Sequence, residues 1–133
     1  MNNCVFCKII NGEIETNKIY EDDYVLAFLD IAKDVDGHTL VIPKKHFRNM
    51  LDCDEVTLLE LIRAIKKIMN HYKSKGYDGF NLICSNEPSA EQSVFHLHFH
   101  IYPRKEDDGM RVFPKLDNAN HTLSEMCEYL KLN

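Results

Sequence analysis

Val94-Phe95-His96-Leu97-His98-Phe99-His100-Ile101-Tyr102 sets three histidines at i, i+2 and i+4 with one apolar residue in each gap. Such alternation, rich in aromatic and β-branched residues, predicts a strand rather than a helix. Successive side chains on a strand point to opposite faces, so His96, His98 and His100 share one face while Leu97, Phe99 and Ile101 turn into a core. Neighbouring imidazoles on that face stand roughly 6.5–7 Å apart. The row suits a phosphate-sized group or a metal ion; the plainer alternative is three surface histidines on a half-buried strand.

Upstream of this strand, residues 85–93 form a polar loop and residues 80–84 a further strand. Leu58, Leu61, Ile62, Ile65, Ile68, Met69 and Tyr72 recur at three- and four-residue spacings. They predict a long amphipathic helix, capped by Asp52 or Asp54 and ended by Gly76. Residues 18–21 and 24–30 read as strands across the turn at Asp22-Asp23, and residues 39–42 as a third that Pro43 stops or marks as an edge. Residues 4–11 before Gly12 suit a short helix, and Thr122-Leu123-Ser124-Glu125 has capping-box form ahead of a final one. The order gives the α+β class: a five-stranded, mainly antiparallel sheet with one long and one or two short helices.

The 133 residues suit a single domain spanning 1–133. A formal net charge of −5 without a dense basic stripe excludes the electrostatic footprint of a duplex nucleic-acid binder. No apolar run is long enough for a membrane span, and the N-terminus lacks the basic-then-apolar order of a signal peptide. Five cysteines, of which only Cys4 and Cys7 are close in sequence, suit a reducing compartment, so the expected location is cytoplasmic.

Two chemistries fit the polar residues. Cys4-x-x-Cys7 has the spacing of a zinc half-site, although two small buried residues on a short helix would look the same. A neutral imidazole can attack phosphorus or an acyl carbon, and His98, flanked on its own face, is the natural nucleophile. The three histidines could instead bind a catalytic metal, but consecutive same-face residues on one strand make a poor tetrahedral chelate.

His-Leu-His-Phe-His-Ile-Tyr resembles the signature of the histidine triad (HIT) family of nucleotide hydrolases and transferases. Cys4-x-Phe-Cys7-Lys8-Ile9-Ile10-x-Gly12, Tyr20-Glu21-Asp22, Leu26-Ala27-Phe28-Leu29-Asp30-Ile31, Gly37-His38-Thr39-Leu40-Val41-Ile42-Pro43-Lys44 and Gln92-Ser93-Val94-Phe95-His96 resemble family segments in family order. The likeness covers about residues 4–104, leaves 105–133 as a separate tail, and is nearest to the small, dimeric, Hint-like branch.

That resemblance implies a HIT-like fold and hydrolysis at the α-phosphate of purine nucleotide conjugates, either nucleoside phosphoramidates or dinucleoside polyphosphates. His98 would form a nucleotidyl-histidine, His100 and Ser93 would contact phosphate oxygens and the leaving group, and His38 would orient the triad. Asp30 would accept from ribose hydroxyls. Phe28, Leu29, Ile31 and Ile19 would line the base pocket, Asn86 would lie near the phosphate or leaving group, and Gln92 would belong to the nucleotide-binding set. Cys4, Cys7, His46 and His96 would hold a structural zinc, and no organic cofactor is implied. A homodimer is implied, pairing the long helix and a sheet edge. The alternative is a nucleotide-binding interaction module with vestigial catalysis; a third reading is a zinc-stabilised adaptor. Glu91 and Glu87-Pro88 stand where the family pattern has glycine, so two carboxylates would repel an anionic leaving group and favour an amine.

Overall fold

The computed structural model describes residues 3–133; Met1 and Asn2, with which the expected domain begins, lie outside the described residues. In chain order the elements are α1 (Val5–Ile10), β1 (Lys18–Glu21), β2 (Val25–Leu29), β3 (Thr39–Pro43), α2 (Glu55–Ser74), β4 (Gly79–Ile83), β5 (Phe99–Arg104) and α3 (Leu123–Leu130). The strands form one antiparallel sheet in the order β1-β2-β3-β5-β4. One long helix and two short ones complete the α+β fold.

Local chemistry accounts for the ends of these elements. Asp54 caps α2, accepting from the Thr57 N–H at 2.7 Å. Asp52 is not the cap; its carboxylate accepts from the N–H groups of Arg48 and Asn49 and so fixes the turn before the helix. Gly12 closes α1 at φ +79°, where a side chain would be strained. The expected capping box at Thr122 and Glu125 starts α3.

Alternation along the central strands divides the core in two. Val25 and Ala27 of β2, Val41 of β3 and Phe99 and Ile101 of β5 pack with Leu61, Ala64, Ile65 and Ile68 of α2. Leu26, Phe28, Leu40 and Ile42 face the other way, onto Phe6 of α1. Both faces of β2 and β3 are therefore covered, which is why those strands read as nearly continuous apolar runs. His100 pairs with Leu40 across β5 and β3, so it stands on the α1 face.

The histidine strand is shorter than its alternation predicts. Strand β5 begins at Phe99, and the chain bends over residues 94–96. The reason is a distant partner: the Leu97 N–H donates at 2.7 Å to the Phe47 carbonyl rather than to a sheet neighbour. His96 thus leaves the flat row expected of it.

No helix among the described residues is long and apolar enough to cross a membrane. The five cysteines, all within the described residues, are free. Leu61 is fully buried between helix and sheet, so Leu61→Ala is expected to lower unfolding free energy by about 2–5 kcal/mol, measured by urea denaturation with the slope unchanged.

Candidate active site

The bend at His96 gives each histidine different work. His98 is buried, and its Nδ1–H donates to the His96 carbonyl at 2.7 Å. A carbonyl only accepts, so the proton sits on Nδ1 and Nε2 keeps its lone pair. Burial pulls His98 below the ordinary imidazole pKa, against the raising influence of that hydrogen bond and of Asp30. Phe6 packs edge-on against its ring, with centroids 5.1 Å apart.

His100 is the end of a relay. Its Nδ1 lies 2.9 Å from His38 Nε2, and His38 Nδ1 lies 3.1 Å from Asp34 Oδ1. An ionised Asp34 can only accept, which places a proton on His38 Nδ1, and His38 Nε2 shares one hydrogen bond with His100 Nδ1. Burial works to raise the Asp34 pKa, but hydrogen bonds from His38 and the backbone outweigh it and hold the carboxyl below its usual value. Tyr102 stacks on His38 at 4.2 Å and walls the relay. His100 is pulled down to about 4, first by burial and then by the neighbouring His98 and His38.

A cavity of about 620 Å³ opens beside this relay, lined by Leu29, Asp30, Asp34 and His38 among others. Asp30 Oδ1 accepts from the Ala32 N–H at 2.8 Å, and Oδ2 stands 3.6 Å from His38 Nε2. Of the residues expected around the nucleoside, Leu29 and Asp30 line the cavity. Phe28 is instead core, packed on Phe6. Ile31 is 92% and Ile19 37% exposed, on the surface. Phe28 faces α1 inside the sheet by alternation, and Ile31 is exposed because it lies past the end of β2.

The loop before the triad engages two further residues of the expected site. Gln92 is buried and fully occupied by protein: Oε1 accepts from Asn49 Nδ2 and the Glu87 N–H, while Nε2 donates to the Arg48 and Val94 carbonyls. Asn86 Oδ1 accepts from the Met50 N–H at 2.8 Å. Both amides therefore fasten this loop to residues 48–50. Glu87 and Glu91 adopt φ +79° and +67°, keeping a glycine-like path without glycine. The Glu87 carboxylate accepts from Arg48 Nε at 2.8 Å and from Arg48 Nη2, so it is neutralised and does not supply the repulsion expected of it. Ser93 is exposed, in a cleft shared with Val94, Phe95, Cys4 and His46.

Behind the triad a second cluster converges. Cys4 Sγ lies 3.3 Å from His96 Nδ1, Cys7 Sγ 3.3 Å from His46 Nδ1, and the two Nδ1 atoms 3.1 Å apart. The His96 Nε2–H donates to the Pro43 carbonyl at 2.8 Å, so its Nδ1 presents a lone pair to the cluster. One strand-end backbone atom thereby sets the direction of the ring.

Sequence reading missed Asp34, Tyr102, Arg48 and Phe6. Tyr102 carried a signal, lying two residues beyond His100 on the same face. Asp34 carried only its place in the loop four residues before His38.

A model described as the HIT domain matches residues 11–107. An uncharacterised HIT-like protein of Methanocaldococcus jannaschii is 45% identical over 129 residues, covering 96% of this chain and 98% of the relative. The adenosine 5′-monophosphoramidase hnt1 of Schizosaccharomyces pombe is 38% identical, over 79% of this chain and 77% of the relative. A zinc-bound histidine triad protein of Mycobacterium smegmatis superposes with a TM-score of 0.80 at 34% identity, over 87% of this chain and 85% of that one.

The depressed His100 pKa has a stability consequence. Unfolded His100 takes a proton near 6.5, whereas the folded group waits until about 4; its stabilising contribution is whole above about 6.5 and is lost as pH falls toward 4. The unfolding free-energy advantage of wild type over His100→Gln, measured in urea at pH 7.5 and 4.5, is expected to shrink at the lower pH.

Proposed function

The chain belongs to the HIT family, and from that premise we propose that it hydrolyses purine nucleotide conjugates, nucleoside phosphoramidates or dinucleoside polyphosphates, at the α-phosphate. One observation carries the proposal: His98 is a buried, neutral imidazole whose only proton is held on Nδ1, leaving Nε2 free to attack. Attack forms the Nε2–P bond as the bond to the leaving amine breaks, the amine nitrogen taking a proton from solvent; the water that attacks in the next step returns one. Water then forms the new O–P bond, the P–Nε2 bond breaks, and a nucleoside monophosphate is released.

The surrounding residues take roles consistent with their placement. The Asp34–His38 pair engages His100 through Nδ1, so His100 faces substrate through Nε2, and Ser93 contacts the phosphate or leaving group. Asp30 Oδ2 accepts from ribose hydroxyls. Leu29 supports the nucleoside. A second copy belongs to this reading: Val56, Leu59 and Ile62 leave an apolar stripe exposed on α2, and Leu82 another on the edge strand β4.

Cys4, Cys7, His46 and His96 fit zinc. Tetrahedral zinc places sulfur at about 2.3 Å and nitrogen at about 2.0–2.1 Å, hence sulfur and nitrogen ligands about 3.5 Å apart, close to the 3.3 and 3.6 Å separations here. The Pro43 carbonyl orients His96 as an outer partner orients a metal-bound imidazole. Four protein ligands close the coordination sphere, so the metal supplies cross-linking of α1 to the triad segment and no bond-making chemistry.

Two measurements test these assignments. Wild type is expected to turn over adenosine 5′-phosphoramidate, with His98→Ala slower by at least about a thousandfold while AMP binding persists. AMP binding without turnover in the wild type would favour an interaction module instead. Metal analysis is expected to find about one zinc per chain, absent in Cys7→Ser, with chelation lowering the melting temperature.

A further inference from the structure

Arg104 ends β5 and gathers the chain that follows. Its Nε and Nη2 grip both oxygens of Asp108 at 2.8 and 2.7 Å, Nη2 also donates to the Met110 carbonyl at 2.6 Å, and Nη1 donates to Asn81 Oδ1 at 2.8 Å. The same Asp108 carboxylate accepts from the N–H groups of Lys105 and Met110. Asp107 and Gly109 take φ +60° and +73°, so residues 105–109 reverse direction as a closed hook. The carboxylate is held well below its ordinary range by Arg104 first and by the Met110 N–H next.

The tip of the hook does not point into empty solvent. Met110 is half-buried and forms part of the wall of the cavity that holds Asp30 and His38. It lies beyond residue 107, where the HIT-domain match stops. Every neighbour it has in that wall from the 29–38 segment is charged, polar or small except Leu29 and Val35. A thioether there adds a flexible, polarisable apolar surface to a rim of carboxylates.

We infer that Met110 is a specificity-determining contact for the nucleoside half of the substrate, and that the Arg104–Asp108 pair positions it. The inference rests on the nucleotide-hydrolase reading of the site. The side follows from the cavity: Met110 shares its wall with Asp30, the ribose acceptor, and not with Ser93, whose cleft lies elsewhere. An apolar face of the ribose or base is the chemistry it recognises.

Calorimetric titration of the full-length chain with AMP tests this. Met110→Ala is expected to weaken AMP about fivefold, the loss of a partly covered apolar contact, and to raise KM for adenosine phosphoramidates in the same proportion. Met110→Leu restores the affinity. Arg104→Lys, which cannot grip Asp108 with two nitrogens, weakens AMP as Met110→Ala does. Phe113→Ala, exposed further along the tail, binds as wild type. The KM increase is the same for a small and a bulky amine leaving group. Met110→Ala binding AMP at wild-type strength, or a KM penalty that grows with the leaving group, would overturn the inference. Wild type binding no AMP would bring down the functional reading with it, and so the two failures are distinguishable.

Discussion

The hydrogen bond from His98 Nδ1–H to the His96 carbonyl is the constraint around which the site is arranged. It fixes the tautomer, and it exists because the backbone at His96 has left the sheet ladder. That departure depends in turn on Phe47, whose carbonyl takes the Leu97 N–H, and on Pro43, whose carbonyl takes the His96 ring. A straight strand would have given three equivalent imidazoles. The bend gives one turned toward a sulfur–nitrogen cluster, one with a free lone pair, and one at the end of a proton-holding relay.

Neutrality is the second condition, and burial enforces it. His98 and His100 are both pushed below ordinary imidazole values, chiefly by loss of solvent. The sheet makes that burial possible because both faces of β2 and β3 are covered, by α2 on one side and by Phe6 of α1 on the other. Helix α1 is only six residues long, too short to persist on its own propensity. Its place is set by Phe6 in the core and by the two cysteines beside His46 and His96.

Sequence periodicity revealed what is local. The stripe on α2, the apolar runs of β2 and β3 and the Thr122 capping box follow from neighbours a few positions apart, and they stand where their patterns place them. The alternating histidines point to the centre of the candidate site for the same reason. What was hidden depends on partners distant in the chain. Nothing near Leu97 says that its amide goes to Phe47. Gln92 and Asn86 carry amides equally able to meet a ligand or a loop, and only the fold brings Arg48, Asn49 and Met50 to them. Ile31 reads as pocket lining by type, yet it lies beyond the strand end with its side chain in water.

Glu87 and Glu91 keep backbone angles that glycine would adopt freely. A side chain in the left-handed region costs of order 1 kcal/mol or more, and the Arg48 and Asn49 contacts to Glu87 offset it at the first position. Glu91, exposed and without a comparable ion pair among the described residues, has no such compensation. The loop is therefore fastened at its entrance by the Glu87 contacts and at its exit by the buried Gln92 that follows. Residues 87–92 act less as a hinge than as a buckle, tying the segment that begins the triad to the 48–50 turn.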